Sequence, residues 1–174
     1  MSNDIPTLET ERLILRGHRA EDFAAYAKMW AEPEVTRFIT GKPCTEEESW
    51  ARFMRAFGHW ALLGFGFWSI HLKDGTRIGE AGFLDVKRDL VPSLEGIPEI
   101  GWSLMSAVHG RGYASEAVGA ALAWGEARFG KRRFACIISP DNAPSLKLAA
   151  KMGFREAART TYHGEPITVL HRDP

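Results

Sequence analysis

The sequence predicts one domain of the α/β class, with a central mixed but largely antiparallel sheet and helices on both faces. Three observations predict it. The 174 residues are a usual length for one domain, and 45% of them are apolar, enough to bury a core. Strand-like and helix-like periodicities alternate along the whole chain. Only residues 98–138 show the strand–helix–strand order of a parallel pair. We therefore treat residues 1–174 as a single domain.

The first part of the chain predicts one strand and two helices. Polar and apolar residues alternate over 11–16, which is typical of a strand. Apolar residues at helical spacing predict helices over 20–30 and 45–60. The second helix opens with a capping-box pattern and is expected to be interrupted near Gly58.

Strand patterns dominate the middle and the end of the chain. The Asp74-Gly75 dipeptide is typical of a two-residue hairpin turn, and a second turn is expected near Gly164. The segments predicted as strands or strand pairs are 65–86, 98–105, 133–138 and 155–172.

Two further helices are predicted in the second half. One follows a glycine-containing stretch at 109–117 and runs to about Phe129, where Gly130 is a suitable stop. The other spans 141–154, with Asn142 as its cap candidate.

Composition excludes several classes of protein. Lys plus Arg equals Asp plus Glu at 22 each, so the charge gives no sign of a nucleic-acid partner. No apolar run approaches the length of a membrane span, and no signal peptide is recognisable. The two cysteines and the scattered histidines have no metal-ligand spacing, so no metal is expected. The cytoplasm is the expected location.

The stretch HGRGYASEA, residues 109–117, predicts an anion site. Free N–H groups at a helix start attract anions, and Gly110 and Gly112 allow close approach of a ligand. Arg111 can add a charge-assisted contact. The sequence contains no P-loop string, and it only weakly matches a dinucleotide fingerprint. A simple glycine-softened turn before a helix is the alternative.

This stretch resembles the pyrophosphate loop of the GNAT superfamily of N-acetyltransferases, whose pattern is Gln/Arg-x-x-Gly-x-Gly/Ala. Gly112 and Ala114 match that pattern, whereas His109 departs from the usual first residue. Four other pieces match, in order, the subgroup that acetylates N-terminal amines of ribosomal proteins. They are LETERLILR (8–16), IGEAGF (78–83), EIGWSL (99–104) and NAPSLKLAAKMGF (142–154).

The resemblance spans nearly the whole chain and implies acetyl-coenzyme A as the cosubstrate. It implies a GNAT-like domain whose two central strands splay apart, so that the pantetheine arm lies between them. Asn142 can contact that arm, act as a plain helix cap, or do both. The residues that the resemblance assigns to the cosubstrate are Leu104, His109, Gly110, Arg111, Gly112, Tyr113, Ala114, Ser115 and Asn142.

The implied reaction is direct transfer of the acetyl group from the thioester to a primary amine, which proximity favours. Glu99 is the first candidate for the base, acting directly or through a water, and Glu80 is its rival. A solvated carboxylate is the alternative interpretation of Glu99. Glu116 is a weaker candidate, because acidic residues are favoured in a first helical turn. A backbone N–H near Leu104 or Met105 is the candidate oxyanion donor.

The proton donor for the thiolate is less well defined. Many family members have a tyrosine at the position of Ala149, and Ser145 matches a serine that some members of the subgroup use. An ordinary first-turn serine is the alternative, and the thiolate can also leave without an acid. Cys136 lies in an apolar run and is not expected to be a nucleophile. The missing tyrosine and His109 leave open a second function, a non-catalytic acyl-coenzyme A-binding module.

The sequence leaves the acceptor and the oligomeric state open. Aromatic residues are frequent in the first two helices, which usually set acceptor choice in this family. A peptide N-terminus, a polyamine, an aminoglycoside or another small amine is compatible with them. The chain is expected to be a monomer, or a homodimer joined at the edge of the tail hairpin.

Overall fold

A computed structural model describes residues 5–174 of the chain, which form eight strands and five α-helices. The strands are β1 (Leu8–Glu9), β2 (Leu13–Arg16), β3 (Phe67–Leu72), β4 (Arg77–Leu84), β5 (Glu99–Leu104), β6 (Phe134–Ile138), β7 (Arg155–Tyr162) and β8 (Glu165–Arg172). The helices are α1 (Phe23–Trp30), α2 (Pro33–Thr36), α3 (Glu46–Leu63), α4 (Tyr113–Phe129) and α5 (Ala143–Lys151). None of the described helices is both long and apolar enough to span a membrane.

All eight strands join one sheet in the order β1-β2-β3-β4-β5-β6-β8-β7. Every neighbouring pair is antiparallel except β5 and β6, which are parallel. The parallel pair comes from residues 98–138, where the sequence predicted it. The mixed, largely antiparallel sheet of the α/β class is thus confirmed.

The two parallel strands stay together only at one end. Their register contains a single pair, Glu99 with Ala135, and the Ala135 N–H donates to the Pro98 carbonyl at 3.0 Å. Beyond this pair towards Leu104, β5 and β6 separate. The splayed central strands expected from the sequence are therefore present, and they open towards the start of α4.

The two faces of the sheet carry different helices. On one face, α4 and α5 pack on the main core, which includes Phe83, Ile100 and Val118. On the other face, α1 and α3 pack together around Tyr26 and Phe53. Strand residues alternate between the two faces of the sheet. β4 and β5 therefore direct apolar side chains mainly towards α4 and α5, and polar side chains mainly towards α1 and α3.

Three local predictions differ from the structure. Helix α3 is continuous through Gly58, which has open space around it, and ends at Gly64 in the left-handed region. The prediction of an interruption near Gly58 was therefore wrong. Four residues, 73–76, separate β3 from β4 instead of two, because the Gly75 N–H donates to the Leu72 carbonyl in a three-residue turn that Gly75 closes at a φ of +90°. The short strand β1 and the short helix α2 were not predicted.

Candidate active site

A glycine-containing loop joins the open end of β5 to α4. Gly110 and Gly112 have φ angles of +75° and +80°, which side chains other than that of glycine rarely adopt. Within the described chain, no residue accepts a hydrogen bond from the N–H groups of residues 110–115. The partial positive charge of the α4 N-terminus lies at the same place. The loop thus presents free donors of the kind that bind an anion.

A salt bridge from the turn between β1 and β2 holds this loop in place. The Arg12 Nε donates to Glu116 Oε2 at 2.7 Å, and Arg12 Nη1 donates to the Arg111 carbonyl at 3.0 Å. The Thr10 hydroxyl donates to Glu116 Oε1 at 2.6 Å. The guanidinium of Arg12 also lies 4.5 Å from the centre of the Tyr113 ring. Glu116 is therefore an anchor of the loop, and its carboxylate is occupied by these contacts.

His109 links the same loop to the end of β5. Its Nε2 lies 2.8 Å from the Leu104 carbonyl, to which it donates. The Met105 N–H donates to the Ile78 carbonyl at 2.9 Å, which removes Met105 from the candidate oxyanion donors. Backbone groups alternate in direction along an antiparallel strand, so the Leu104 N–H faces the gap between β5 and β6.

Asn142 and Ser145 meet at the start of α5. The Asn142 Oδ1 accepts from the Ser145 N–H at 3.2 Å, so the predicted helix cap is present. Both residues also line a cavity at the splayed end of the sheet. Asn142 is thus a cap whose side chain borders the site.

The cavity has a volume of about 480 Å³ and lies between the α1/α3 layer and the opened sheet. Its walls come from both helices, from β4 to β6, and from the β7–β8 hairpin. The polar and charged side chains among its lining residues include Tyr26, Arg52, Arg55, His59, Glu80, Arg88, Glu99, Ser103, Ser139, Asn142, Ser145, Tyr162 and His163.

Glu99 faces this cavity and is ion-paired. Its two oxygens accept from Arg88 Nε at 2.6 Å and Arg88 Nη2 at 2.8 Å. The Arg88 guanidinium lies 5.0 Å from the centre of the Tyr162 ring. Glu99 thus connects β5 to the loop after β4 and to the final hairpin, and it is 6% exposed. The expected base is at the site, held by a partner that the sequence did not reveal.

Glu80, the rival base, faces the same cavity from β4. It pairs across the strands with Ser103 and is buried. His18 Nε2 lies 3.5 Å from Glu80 Oε2, without hydrogen-bond geometry. Burial acts to raise the pKa of Glu80, but His18 and Arg77 outweigh it, so the pKa lies below its usual value. Glu80 is therefore ionised at neutral pH.

Two other predictions concern residues near the site. Burial raises the pKa of the Cys136 thiol, so this cysteine stays protonated and fits the predicted core position. Ala149, at the position where the resemblance leads one to expect a tyrosine, is completely buried in the main core. No group of three potential metal ligands occurs among residues 5–174.

The sequence missed the cationic partners of the site, Arg12, Arg52, Arg55 and Arg88. Arg12 could have been suspected from its place in the matching piece 8–16. The other three lie on an amphipathic helix and in a loop, where arginines on the solvent side have the same pattern. Only the folded chain brings them to the cavity.

Comparison with known proteins gives consistent findings. The profile of the family described as "Acetyltransferase (GNAT) domain" matches residues 12–155. An uncharacterized N-acetyltransferase of Bacillus licheniformis, p20, is 31% identical over 86% of this chain and 83% of its own length. The structure of an acetyltransferase from Agrobacterium tumefaciens superimposes with a TM-score of 0.85, at 29% identity, over 98% of this chain and 96% of its own.

A more distant structure shares the fold. It is an alpha-N-protein acetyltransferase of a ribosomal protein, solved in complex with coenzyme A. It superimposes with a TM-score of 0.76 at 17% identity, over 97% of this chain and 98% of its own.

The fold and the matched relatives define an acetyltransferase. More particularly, the chain belongs to the GNAT acetyltransferase domain family, to which residues 12–155 match. Acetyl-coenzyme A-dependent N-acetylation is the general activity of that family. The family expected from the sequence is confirmed.

Proposed function

We propose that this protein transfers the acetyl group of acetyl-coenzyme A directly to a primary amine, in the cytoplasm. The observation that carries the proposal is that the loop before α4 and the cavity adjoin each other along the gap between β5 and β6. A loop of free N–H groups lies at the open end of the β5–β6 gap, and the carboxylate-lined cavity lies along that gap. A long cosubstrate can therefore place its phosphates on the loop and its thioester in the cavity.

The loop supports binding of the pyrophosphate. The N–H groups of residues 110–115 have no acceptor among the described residues, and Arg111 is exposed beside them. The pantetheine arm would lie in the gap next to Leu104 and Asn142. Tyr113, Ala114 and Ser115 form the first turn of α4, so their N–H groups have no acceptor within the helix. These features fit the cosubstrate without any further group.

For the chemistry, we propose Glu99 as the base that removes the proton of the amine, directly or through a water. The free amine then attacks the thioester carbon, the oxyanion is stabilised by a backbone N–H near Leu104, and the thiolate leaves. Ser145, which borders the cavity at the start of α5, is the proposed donor of a proton to that thiolate. Glu80 is the alternative base, because it is ionised and its carboxylate is not hydrogen-bonded to an arginine.

The acceptor proposed from the sequence resemblance is a protein N-terminus or a small amine. The distant ribosomal-protein acetyltransferase supports the first only through its fold. The size of the cavity, about 480 Å³, is sufficient for a whole small amine or for the end of a peptide.

The first experiment is a calorimetric titration of the purified protein with acetyl-coenzyme A, with NADH as the control. We expect micromolar binding of acetyl-coenzyme A, about −8 kcal/mol, and none of NADH. An amine screen that detects release of the coenzyme A thiol follows. Binding without turnover of any amine would favour the non-catalytic acyl-coenzyme A-binding module. Absence of binding would overturn the proposal as a whole.

A further inference from the structure

Two arginines of α3 face the cavity without an anionic partner. Arg52 and Arg55 both line it, and in the part of the chain that is described neither makes an ion pair or a side-chain hydrogen bond. The Arg52 guanidinium stacks on Trp30, 4.2 Å from the ring centre. Stacking limits the rotamers of Arg52, so its charge is held in a fixed place.

The other charged groups of the cavity balance one another. Glu99 forms a bidentate pair with Arg88. Glu80 lies 3.5 Å from His18, and the charges of Arg77 and Arg52 also act on it. The lining therefore contains three arginines and two carboxylates, an excess of one positive charge. That excess comes from the α3 pair, because the third arginine is neutralised.

The spacing of the two arginines suits a single anion. Residues three apart on a helix lie on the same face, so Arg52 and Arg55 can act together. A guanidinium binds carboxylate and phosphate through two parallel hydrogen bonds. An acceptor with several positive charges would instead be repelled by this wall.

We propose that the acceptor is a small primary amine that also carries an anionic group, a carboxylate or a phosphate. Arg52 and Arg55 bind the anion and direct the amine towards the carboxylates on β4 and β5. This inference rests on the proposed transferase activity and names its substrate class. It excludes polyamines and aminoglycosides as preferred acceptors.

The test compares acceptors in pairs, one member with the anionic group and one without it, and kcat/KM is referred to the concentration of free amine because the amides have less basic amines. The panel contains α-amino acids, the corresponding amino-acid amides, aminoalkyl phosphates with the matching amino alcohols, and spermidine as the polycation. We expect kcat/KM to be at least about tenfold higher for the anionic member of each pair, equivalent to about 1.4 kcal/mol. The carboxylate and phosphate arms show which anion fits. A peptide series with and without an acidic residue shows whether larger acceptors enter.

Variants separate this proposal from a general loss of activity. Arg55→Gln should raise KM for the anionic acceptor about tenfold or more, leave KM for the neutral amide unchanged, and leave acetyl-coenzyme A affinity unchanged. Arg55→Glu should reverse the preference. Arg155→Gln is the matched control, since Arg155 is exposed on β7 and does not line the cavity. Because Arg55 is also exposed on α3, its substitution should not prevent folding.

The outcomes distinguish the two proposals. Failure to bind acetyl-coenzyme A is a failure of the proposed function. Normal acetyl-coenzyme A binding with equal use of anionic and neutral acceptors, or unchanged KM in Arg55→Gln, overturns the present inference. If no amine is acetylated, each member of the panel is titrated by calorimetry into the protein saturated with coenzyme A. This titration shows whether the anionic amines bind in preference to the neutral ones. Absence of binding by every anionic amine would then refute the present inference.

Discussion

At the scale of single residues, the glutamates of the candidate site differ in the groups that neutralise or hold them. Glu99 is neutralised by Arg88, and Glu116 is held by Arg12 and Thr10. Glu80 has an imidazole at 3.5 Å, and the charge of Arg77 also acts on it. The three carboxylates are therefore not equivalent, although the sequence gives each a similar setting near the start of a strand or helix. Their partners decide which can accept a proton from an amine.

The first prediction concerns the base. Glu99→Gln should lower kcat by about 10²-fold or more, the usual contribution of general base catalysis, without changing acetyl-coenzyme A affinity. The loss should be smaller at high pH, where more of the amine is already deprotonated. The pH profile of kcat with a saturating acceptor measures both effects.

Glu80→Gln is the comparison variant for that prediction. If it loses activity in this manner and Glu99→Gln does not, Glu80 is the base and Glu99 anchors Arg88. A lower melting temperature of Glu99→Gln with normal turnover would support the same conclusion, because Arg88 would be left buried without its partner.

The second prediction concerns the left-handed glycines. Gly110 and Gly96 both have a φ of +75° and open space around the position of a Cβ. Alanine at either position should therefore cost a similar amount of stability, about 1 kcal/mol. Only Gly110→Ala should weaken acetyl-coenzyme A binding, by about tenfold, because Gly110 lies in the loop and Gly96 lies near the opposite end of β5. Calorimetry and thermal unfolding measure the two effects. Equal affinity of both variants would contradict the role of the loop.

At the scale of elements, the β1–β2 corner is fixed to the start of α4. Thr10 and Arg12 both donate to Glu116, and Arg12 also contacts the Arg111 carbonyl. Burial acts to raise the pKa of Glu116, but the Thr10 and Arg12 hydrogen bonds and the charge of Arg12 outweigh it, so the pKa lies below 4.5. The ionised carboxylate of Glu116 thus stabilises the folded chain more than the protonated form does.

The third prediction follows from the sign of that shift. A lowered pKa means that the stabilisation is complete above the unfolded pKa, near 4.5, and is lost as the pH falls through the folded pKa. Glu116→Gln should therefore reduce the free energy of unfolding by about 1–2 kcal/mol at pH 7 and by less at pH 3. Urea unfolding at the two pH values measures this difference.

Glu156→Gln is the control for the third prediction. Its carboxylate pairs with Arg159 on an exposed strand, where an ion pair contributes little. A loss of stability as large as that of Glu116→Gln, or a loss in Glu116→Gln that does not depend on pH, would contradict the anchoring role of Glu116.

The same elements show what the sequence could and could not predict. Periodicity located β2 to β8 and the four longer helices, because each has an apolar face. It did not locate β1, which has only two residues. It predicted a two-residue turn at Asp74-Gly75, where the chain makes a longer turn that ends at Gly75 in the left-handed region. The Arg12–Glu116 pair joins residues 104 apart in sequence, and no local pattern indicates such a pairing.

At the scale of the whole molecule, the sheet has two outer strands, β1 and β7. β1 is too short to offer a useful edge. β7 is longer, but a register shift between Glu156 and Ala158 interrupts it, and Arg155, Glu156 and Arg159 are exposed along it. Bulges and charges discourage the addition of another strand. The tail hairpin is therefore a poor edge for the homodimer considered from the sequence.

The fourth prediction is that the protein is a monomer in solution. Size-exclusion chromatography with light scattering should give a mass near 19.4 kDa over a wide concentration range. A stable dimer would contradict this prediction and would favour pairing of two copies of the chain along β7. In that case a proline at Thr161 on β7 should dissociate it, because Thr161 lies opposite Pro166 in a pair whose N–H groups point away from the partner strand, so the proline removes an N–H from the free edge.

The fifth prediction joins the site to the stability of the whole fold. A ligand that binds only the folded chain stabilises it by about 2.7 kcal/mol at a concentration of 100 times its Kd. For a domain of this size that corresponds to a rise in Tm of roughly 5–10 °C. We expect this rise with acetyl-coenzyme A and no rise with NADH.

The glycine variants give the thermal experiment its control. Both alanine variants start from a lower Tm, but at a fixed concentration of acetyl-coenzyme A only Gly96→Ala should recover the full rise. The free energy by which acetyl-coenzyme A stabilises Gly110→Ala should be smaller by about 1.4 kcal/mol for each tenfold loss of affinity, so the rise in Tm should also be smaller. Because the β5–β6 gap and the loop bind one extended cosubstrate in our proposal, a weakened loop must reduce the stabilisation of the whole domain. An equal rise in both variants would mean that the cosubstrate is held without the loop.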